Sequence, residues 1–492
     1  MKHLQKYGPG LVSALLLSLA FPPFNLALLV FPALTTWLLS LRDLDAKRSF
    51  RSGYGFGLMF SMAQLLWIQM FVTSWTGSLL MGAVPWLVAA TLMAVYFGIV
   101  AMLISKCWQC QAPWAIPLVW AGIEVIRSYM PVLAFPWGLV ALPLANINPL
   151  AQAGFFGGIY LVSAWVLTIA TLCAVWLQSE FPSKITINER PAKQTLATMA
   201  LLGLVLTMAR PLMTTETETK RVSIIQPGVD MAFGKATKAE RLADVIPGLL
   251  AEATVQRAQG AILPEGIAEM EDTFPPQSPV TTNPPISVLL GGKRGIEPRY
   301  QSAFAYDAST REWQSVDKTR LVIFGEFVPG RNVLPFLQKF NLPSGDLEAG
   351  KDLKSIDWLG QKWGPIICFE ALFPDIAWRH SLNGARSLAV MSIDDWFMNT
   401  PAIESLRLGS LWRSIETGLP LMRAGSLGAS LATDRFGRVV AEVPLRDSVA
   451  FQVDVAVPKS PQGGLWQGAF PVASAFFAVV ALFWRRPLAD RP

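Results

Sequence analysis

The sequence predicts a multi-pass α-helical membrane domain of about eight helices joined to a layered α/β domain. Three observations lead there. Of the 492 residues, 52% are hydrophobic and only 15% are charged, against about 25% charged in soluble domains. The stretches Ser52–Ser105 and Ser128–Ser179 contain no charged residue. Residues 214–464, by contrast, carry charge throughout and alternate short apolar runs with amphipathic ones.

One membrane helix needs about 20 apolar residues, so each uncharged stretch is long enough for two crossings. Helices are expected near 9–22, 26–41, 53–72, 82–105, 113–130, 154–178, 195–213 and 465–484, with breaks at Thr76-Gly77, Pro85 and Phe135-Pro136-Trp137-Gly138. The first reads as a membrane helix rather than a cleaved leader, because further spans follow at once and no small-residue cleavage site is evident. The domain boundaries are 1–213 (about seven helices), 214–464, and 465–492 (a last helix and tail).

The basic residues give the orientation. Lys2, Lys6, Arg42, Lys47, Arg48, Arg51, Lys106, Lys184, Arg190, Lys193, Arg485 and Arg486 all fall on one side of an eight-helix arrangement, with Arg127 the exception. Cytoplasmic loops carry the excess of Lys and Arg. Both ends are therefore expected in the cytoplasm and residues 214–464 outside it. The net charge of +6 is accounted for by this placement and is no argument for nucleic acid as a partner.

Within 214–464, strands are expected at 221–226, 261–264, 286–290, 364–368 and 388–392, and a helix near 236–257. Three of its segments place polar side chains at or just after an apolar run: Ile262-Leu263-Pro264-Glu265-Gly266, Asp317-Lys318 through Glu326-Phe327-Val328-Pro329, and Gly364-Pro365-Ile366-Ile367-Cys368-Phe369-Glu370. Each also has a structural reading. Glu265 caps a helix, Lys318 and Glu326 form a surface ion pair, Cys368 is a small buried hydrophobe, and Glu370 makes a structural salt bridge. For Cys368 the compartment weighs against that reading. It is the one cysteine in 214–464, on a side of the membrane that favours disulfides. The chain has two histidines, His3 and His380, which argues against Ser-His-Asp chemistry and most zinc hydrolases. The Cys107/Cys110 pair is a lone CxxC, a weak metal or redox signal. No metal and no cofactor is expected.

Taken together and in order, the three segments resemble the Glu-Lys-Cys triad blocks of the nitrilase superfamily. Set between membrane helices, they resemble the apolipoprotein N-acyltransferase family. Lys318 through Pro329 is similar to its K-x-x-L-V-P-F-G-E-[YF]-V-P block. Glu124, Arg127 and Phe135-Pro136-Trp137 are similar to its membrane E-x-x-R…F-P-W segment. Asp394-Asp395-Trp396-Phe397 resembles S-N-D-x-W-F, and Arg413, Glu416, Pro420 and Arg423 resemble R-x-x-E-x-x-x-P-x-x-R. Departures stand at Ile323 (usually Pro), Ile393 (usually Asn), Glu404 (near an expected His), Ser426 (usually Asn) and Gln226-Pro227-Gly228…Phe233 (usually Gly-Asn…Trp).

The resemblance implies an αββα nitrilase-like sandwich at 214–464 and catalysis by Glu265 as base, Lys318 as oxyanion cation and Cys368 as nucleophile, supported by Glu326 and Glu370. It implies acyl transfer from a phospholipid to a diacylglyceryl apolipoprotein through a Cys thioester, by a multi-pass monomer in the bacterial inner membrane. Phe327, Val328, Pro335, Phe336 and Phe340 are either a flap over the acyl chains or an ordinary loop. The rival readings are a membrane-tethered amidase, a paralogue with another acyl acceptor, and a non-catalytic binding or transport protein.

Overall fold

The computed structural model describes all residues except 1, 132–133, 181–187, 234–237, 272–274, 279, 281–283, 332–341, 343–344, 398 and 485–492. The chain forms two compact units. One is Met1–Met213 with Thr400–Leu408 and Trp466–Pro492, the other Thr214–Asn399 with Gly409–Leu465.

The first unit contains α1 (Lys2–Ala20), α2 (Val30–Leu41), α3 (Ala46–Gln64), α4 (Leu66–Thr76), α5 (Leu79–Gln109), α6 (Ile116–Tyr129), α7 (Asn148–Ala151), α8 (Gly154–Leu177), α9 (Glu189–Ala209) and the C-terminal helix Ala469–Phe483. Among the described residues, Leu79–Gln109, Gly154–Leu177, Glu189–Leu212 and Leu465–Phe483 are long and apolar enough to cross a membrane; α3 and α4, bent by 45°, add a fifth span if read as one. Two expectations are corrected. The single helix near 53–72 is two helices, because Leu65 leaves the helical region (φ −106°, ψ 8°). Pro85 does not break its helix but lies inside α5, since neighbouring helices in a membrane bundle tolerate an internal proline. The expected break at Gly77 is present, with a left-handed φ of 71° that ends α4.

Small residues bring these helices together. A Cβ at Gly53 of α3 would lie 2.3 Å from the Ala101 Cβ of α5, and one at Gly57 2.5 Å from the Phe97 Cβ. Lipid supplies little hydrophobic force between helices, so close backbone approach and dispersion hold them. Cys107 and Cys110 are not joined by a disulfide.

The second unit is built on two sheets. The first runs β13-β1-β2-β4-β5-β6, with β3 on β4: β1 (Thr217–Gln226), β2 (Gly260–Ile262), β3 (Ala268–Met270), β4 (Ser287–Arg294), β5 (Tyr300–Asp307), β6 (Glu312–Asp317) and β13 (Val449–Pro458). The other runs β12-β11-β10-β9-β8-β7: β7 (Ile356–Trp358), β8 (Gln361–Ile367), β9 (Ser387–Ser392), β10 (Leu421–Gly425), β11 (Leu431–Thr433) and β12 (Val439–Glu442). The neighbours β1, β2 and β4 pair in parallel, as do β8, β9 and β10. Alternation sorts each strand between two faces. Ile262, Leu289, Ala303, Ile367, Met391 and Trp363 share the core between the sheets. Val288, Leu290 and Phe304 face the other way, into a cluster with Leu242, Ile246 and Leu250 of α10 (Lys238–Val255). On the other sheet α11 (Pro374–Leu382) packs against β8, and α12 (Ala402–Thr417) precedes β10.

His380 of α11 is fully buried. Its Nε2 lies 2.8 Å from the Pro365 carbonyl of β8 and its Nδ1 3.1 Å from Ser355 Oγ. Nε2–H therefore donates, Nδ1 accepts from the hydroxyl, and the ring is neutral. Burial drives its pKa from the ordinary 6.5 down to about 4. The unfolded chain then binds more protons between those values, so stability is complete above about 6.5 and is lost as pH falls toward about 4. Thermal unfolding in detergent is expected to show a loss of about 3 kcal/mol across that window. His380→Gln, which keeps a donor for Pro365, is expected to flatten that slope.

Candidate active site

Parallel strands end in polar groups that converge, as expected where strand carboxyl ends meet a crevice. Glu265 follows β2, Cys368 follows β8, and Ser392 with Ile393 ends β9. Lys318 follows β6, its N–H donating to the Gln301 carbonyl of β5 at 2.8 Å. Gly291 on β4 leaves room for this approach, since a Cβ there would lie 2.6 Å from the Glu265 Cα.

The buried Cys368 thiol lies close enough to Glu265 and Ser392 for both to bear on its ionisation, and the Ser392 hydroxyl donates to Asp394 Oδ1 at 2.8 Å. The Cys368 backbone has a φ of 52°, a left-handed value that costs a non-glycine residue roughly 1–3 kcal/mol and is often kept where a side chain must be aimed. Glu265 Oε2 accepts the Ile393 N–H at 3.2 Å. Lys318 is 1% exposed; its Nζ donates to Glu326 Oε1 at 2.7 Å. Glu326 Oε2 in turn accepts the Val322 N–H at 2.8 Å. Glu370 ties two segments together. Its Oε1 accepts from Thr319 N–H (2.8 Å), Thr319 Oγ1–H (3.0 Å) and Arg320 N–H (3.1 Å), and its Oε2 accepts from Ile367 N–H (3.0 Å).

Burial raises the Glu265 pKa to about 7; Lys318 opposes the rise and Glu326 adds to it. Burial and then the Glu265 charge push the Cys368 thiol up to about 12. Burial works against the Lys318 ammonium, yet Glu326 and Glu265 outweigh it and hold its pKa above the ordinary lysine value. The resting site is a neutral thiol beside a carboxyl that titrates near neutrality and a permanent cation. Such a set can deprotonate the thiol as it attacks and stabilise charge on a carbonyl oxygen.

Of the residues expected from sequence, Glu265, Lys318, Cys368, Glu326 and Glu370 come together. Glu265 does not cap a helix, and Lys318–Glu326 is a buried pair rather than a surface one. Arg413–Glu416 (2.8 Å) and Arg423–Asp394 (2.7 Å) are buried ion pairs. Asp395 accepts the Met231 N–H at 2.5 Å and the Ser426 hydroxyl, and burial lifts its pKa to about 7. Glu124 belongs to the first unit, where it accepts the Val140 N–H at 2.8 Å. Phe327 is half-buried and Val328 buried, while Pro335, Phe336 and Phe340 lie outside the described residues, as do Lys184, Arg485 and Arg486. Ser392 and the Ile393 N–H were not anticipated. The signal that points to them is their place at the end of an apolar strand. No group of metal-ligating side chains occurs among the described residues.

The profile described as "Carbon-nitrogen hydrolase" matches residues 277–456, and the one described as "Apolipoprotein N-acyltransferase N-terminal domain" matches 13–172. The chain is 25% identical to the apolipoprotein N-acyltransferase of Geobacter metallireducens, covering 89% of this chain and 87% of the relative. It is 28% identical to that of Allorhizobium ampelinum (87% and 85%) and 27% identical to that of Brucella melitensis (91% and 89%). Among solved structures, an amidase from Nesterenkonia is 15% identical with a TM-score of 0.36, covering 48% of this chain and 90% of its own. Along nearly its whole length the chain is similar to apolipoprotein N-acyltransferases.

Lys318→Arg is expected to cost at least about 100-fold in activity, nearly as much as Lys318→Ala. The guanidinium is wider and planar, and the pocket around Nζ is closed. Turnover assays on folded variants check this, and Glu326→Gln is expected to fall similarly with the fold retained.

Proposed function

We propose that the chain transfers an acyl chain from a phospholipid to the N-terminal amine of a diacylglyceryl apolipoprotein, through a thioester on Cys368. The observation that carries this reading is the buried Cys368 thiol next to the Glu265 carboxyl, whose pKa is near neutral, and the buried Lys318 ammonium. In the first half-reaction Glu265 takes the Sγ proton as Sγ attacks the ester carbonyl. Lys318 stabilises the oxyanion. The C–O bond then breaks, Glu265 returns the proton to the leaving alkoxide, and lysophospholipid departs. In the second, the amine attacks the thioester, Glu265 accepts a proton from the nitrogen, and the C–S bond breaks as that proton passes to sulfur. With the thiol pKa raised to about 12, proton removal and attack belong to one step rather than to a preformed thiolate. Glu326 positions Lys318, and Glu370 positions both loops.

The site sits on the extracytoplasmic side of a bacterial inner membrane in this reading, supported by the Lys and Arg bias of the loops. Both substrates are membrane-anchored, and an enzyme held in the bilayer avoids extracting an acyl chain at about 0.8 kcal/mol per methylene.

Incubation with phospholipid alone is expected to raise the intact mass by one acyl group. Neutral hydroxylamine should remove that mass, and Cys368→Ala should never gain it. An adduct that persists in the Ala variant places the nucleophile elsewhere; rapid release of free fatty acid without an amine favours an amidase. The acylation rate should also rise with pH through about 7, because Glu265 acts as base only when ionised. In Glu265→Gln that limb should vanish and the rate should fall at least about 100-fold.

A further inference from the structure

The catalytic steps above use Glu265 and Lys318 and leave another polar neighbour of Cys368, the Ser392 side chain, without a role. Ser392 ends β9 and is fully buried. It comes beside Cys368 because β8 and β9 pair in parallel, with Ile367 opposite Met391 one residue earlier on each strand. On its other flank Ser392 pairs with Gly425 of β10.

Ser392 is itself held. Its hydroxyl donates to Asp394 Oδ1 at 2.8 Å, and the same oxygen accepts from Arg423 Nη2 of β10 at 2.7 Å. All three residues are at most 1% exposed. Gly425 makes the space, since a Cβ there would lie 2.4 Å from Asp394 Oδ2. Carboxylate and guanidinium form a charge-assisted bond, the stronger kind, so Asp394 stays in place whether or not the hydroxyl contacts it.

A serine hydroxyl has one proton to give and two lone pairs. While the thiol is neutral, that proton lies on Asp394. Charge on the sulfur creates a competing acceptor. Burial raises the Cys368 pKa most, and Glu265 adds to the rise; Lys318 and then Ser392 lower it, and Asp394 raises it. A hydroxyl that favours the charged form of its neighbour is placed to donate to it.

We propose that Ser392 donates a hydrogen bond to the Cys368 sulfur while that atom carries negative charge, its hydroxyl turning from Asp394 Oδ1 to Sγ as Arg423 keeps the carboxylate in place. This rests on Cys368 being the nucleophile of the acyl-transfer reading. No proton leaves Ser392. As the C–S bond of the tetrahedral adduct breaks, the electron pair goes to sulfur and the hydroxyl bonds to it. The proton that Glu265 took from the amine then neutralises the sulfur. Asp394 and Arg423 are positioning residues, and the negative charge of Asp394 sets how readily the hydroxyl turns.

Alkylation by iodoacetamide reads the thiolate and needs no acyl donor. The assay uses the full chain in detergent at about pH 8, with the label on Cys368 located by peptide mass. Ser392→Ala is expected to slow alkylation about tenfold, the effect of one hydrogen bond to a charged group. Asp394→Asn keeps an oxygen for Arg423 but removes the negative charge and loosens the hold on the hydroxyl, so it is expected to speed alkylation several-fold. Side chains that only maintain the fold would change the rate in the same direction or not at all, and either result overturns the proposal. Where Asp394→Asn does not fold, Ser392→Thr decides: it should restore most of the rate lost in Ser392→Ala. Equal loss in both, or no loss in the Ala variant, removes the donor. If the alkylation rates follow this pattern but phospholipid never acylates the wild type, the Ser392 role stands and the acyl-transfer reading fails. If phospholipid does acylate the wild type and Ser392→Ala alkylates at the wild-type rate, only the Ser392 role fails.

Discussion

The second unit is organised around one buried charge, the Lys318 ammonium. An isolated cation in a protein interior costs several kcal/mol even after relaxation. Here Glu326 contacts it at 2.7 Å, and Glu265 and Glu370 act on it through space. Every one of these carboxylates is itself held. Val322 N–H fixes Glu326, Ile393 N–H fixes Glu265, and four donors fix Glu370. The ammonium is thus held by carboxylates that are each fixed in turn, an arrangement that needs little reorganisation to meet a developing negative charge.

The same arrangement explains how departures from the family pattern are accommodated. Ile393 stands where the family has Asn, but the bond to Glu265 comes from its backbone N–H, which any residue except proline supplies. Ser426 stands for another Asn, and its hydroxyl still donates to Asp395. Where a backbone group or a small donor carries the contact, the side chain is free to change. Gly291 has no such freedom, because the Glu265 backbone occupies the space of its Cβ.

In the first unit the constraint is different. Its helices meet at Gly53 and Gly57, where backbone and aromatic rings touch, and it buries the polar side chains of Glu124 and Arg127. Glu124 accepts the Val140 N–H in the segment after α6, so a buried side chain supplies the partner that this irregular backbone lacks.

The sequence alone determined the division into helical and α/β parts, because hydropathy and charge are local properties read without knowledge of contacts. It also singled out Glu265 and Cys368, each at or just after a short apolar run that reads as a buried strand, and Lys318 through the resemblance of its block to a known family. Only the tertiary structure decided how these groups meet. The order β2-β4-β5-β6 sets the Glu265 and Lys318 segments in one sheet. Ser392 comes beside Cys368 because β9 pairs with β8, Ile367 opposite Met391. Glu370 joins the Lys318 and Cys368 segments across 51 residues of sequence. The break at Leu65 and the continuity through Pro85 were equally hidden, being settled by neighbouring helices. Pairings between residues distant in sequence depend on sheet order and on what fills the space between elements, and no local pattern encodes either.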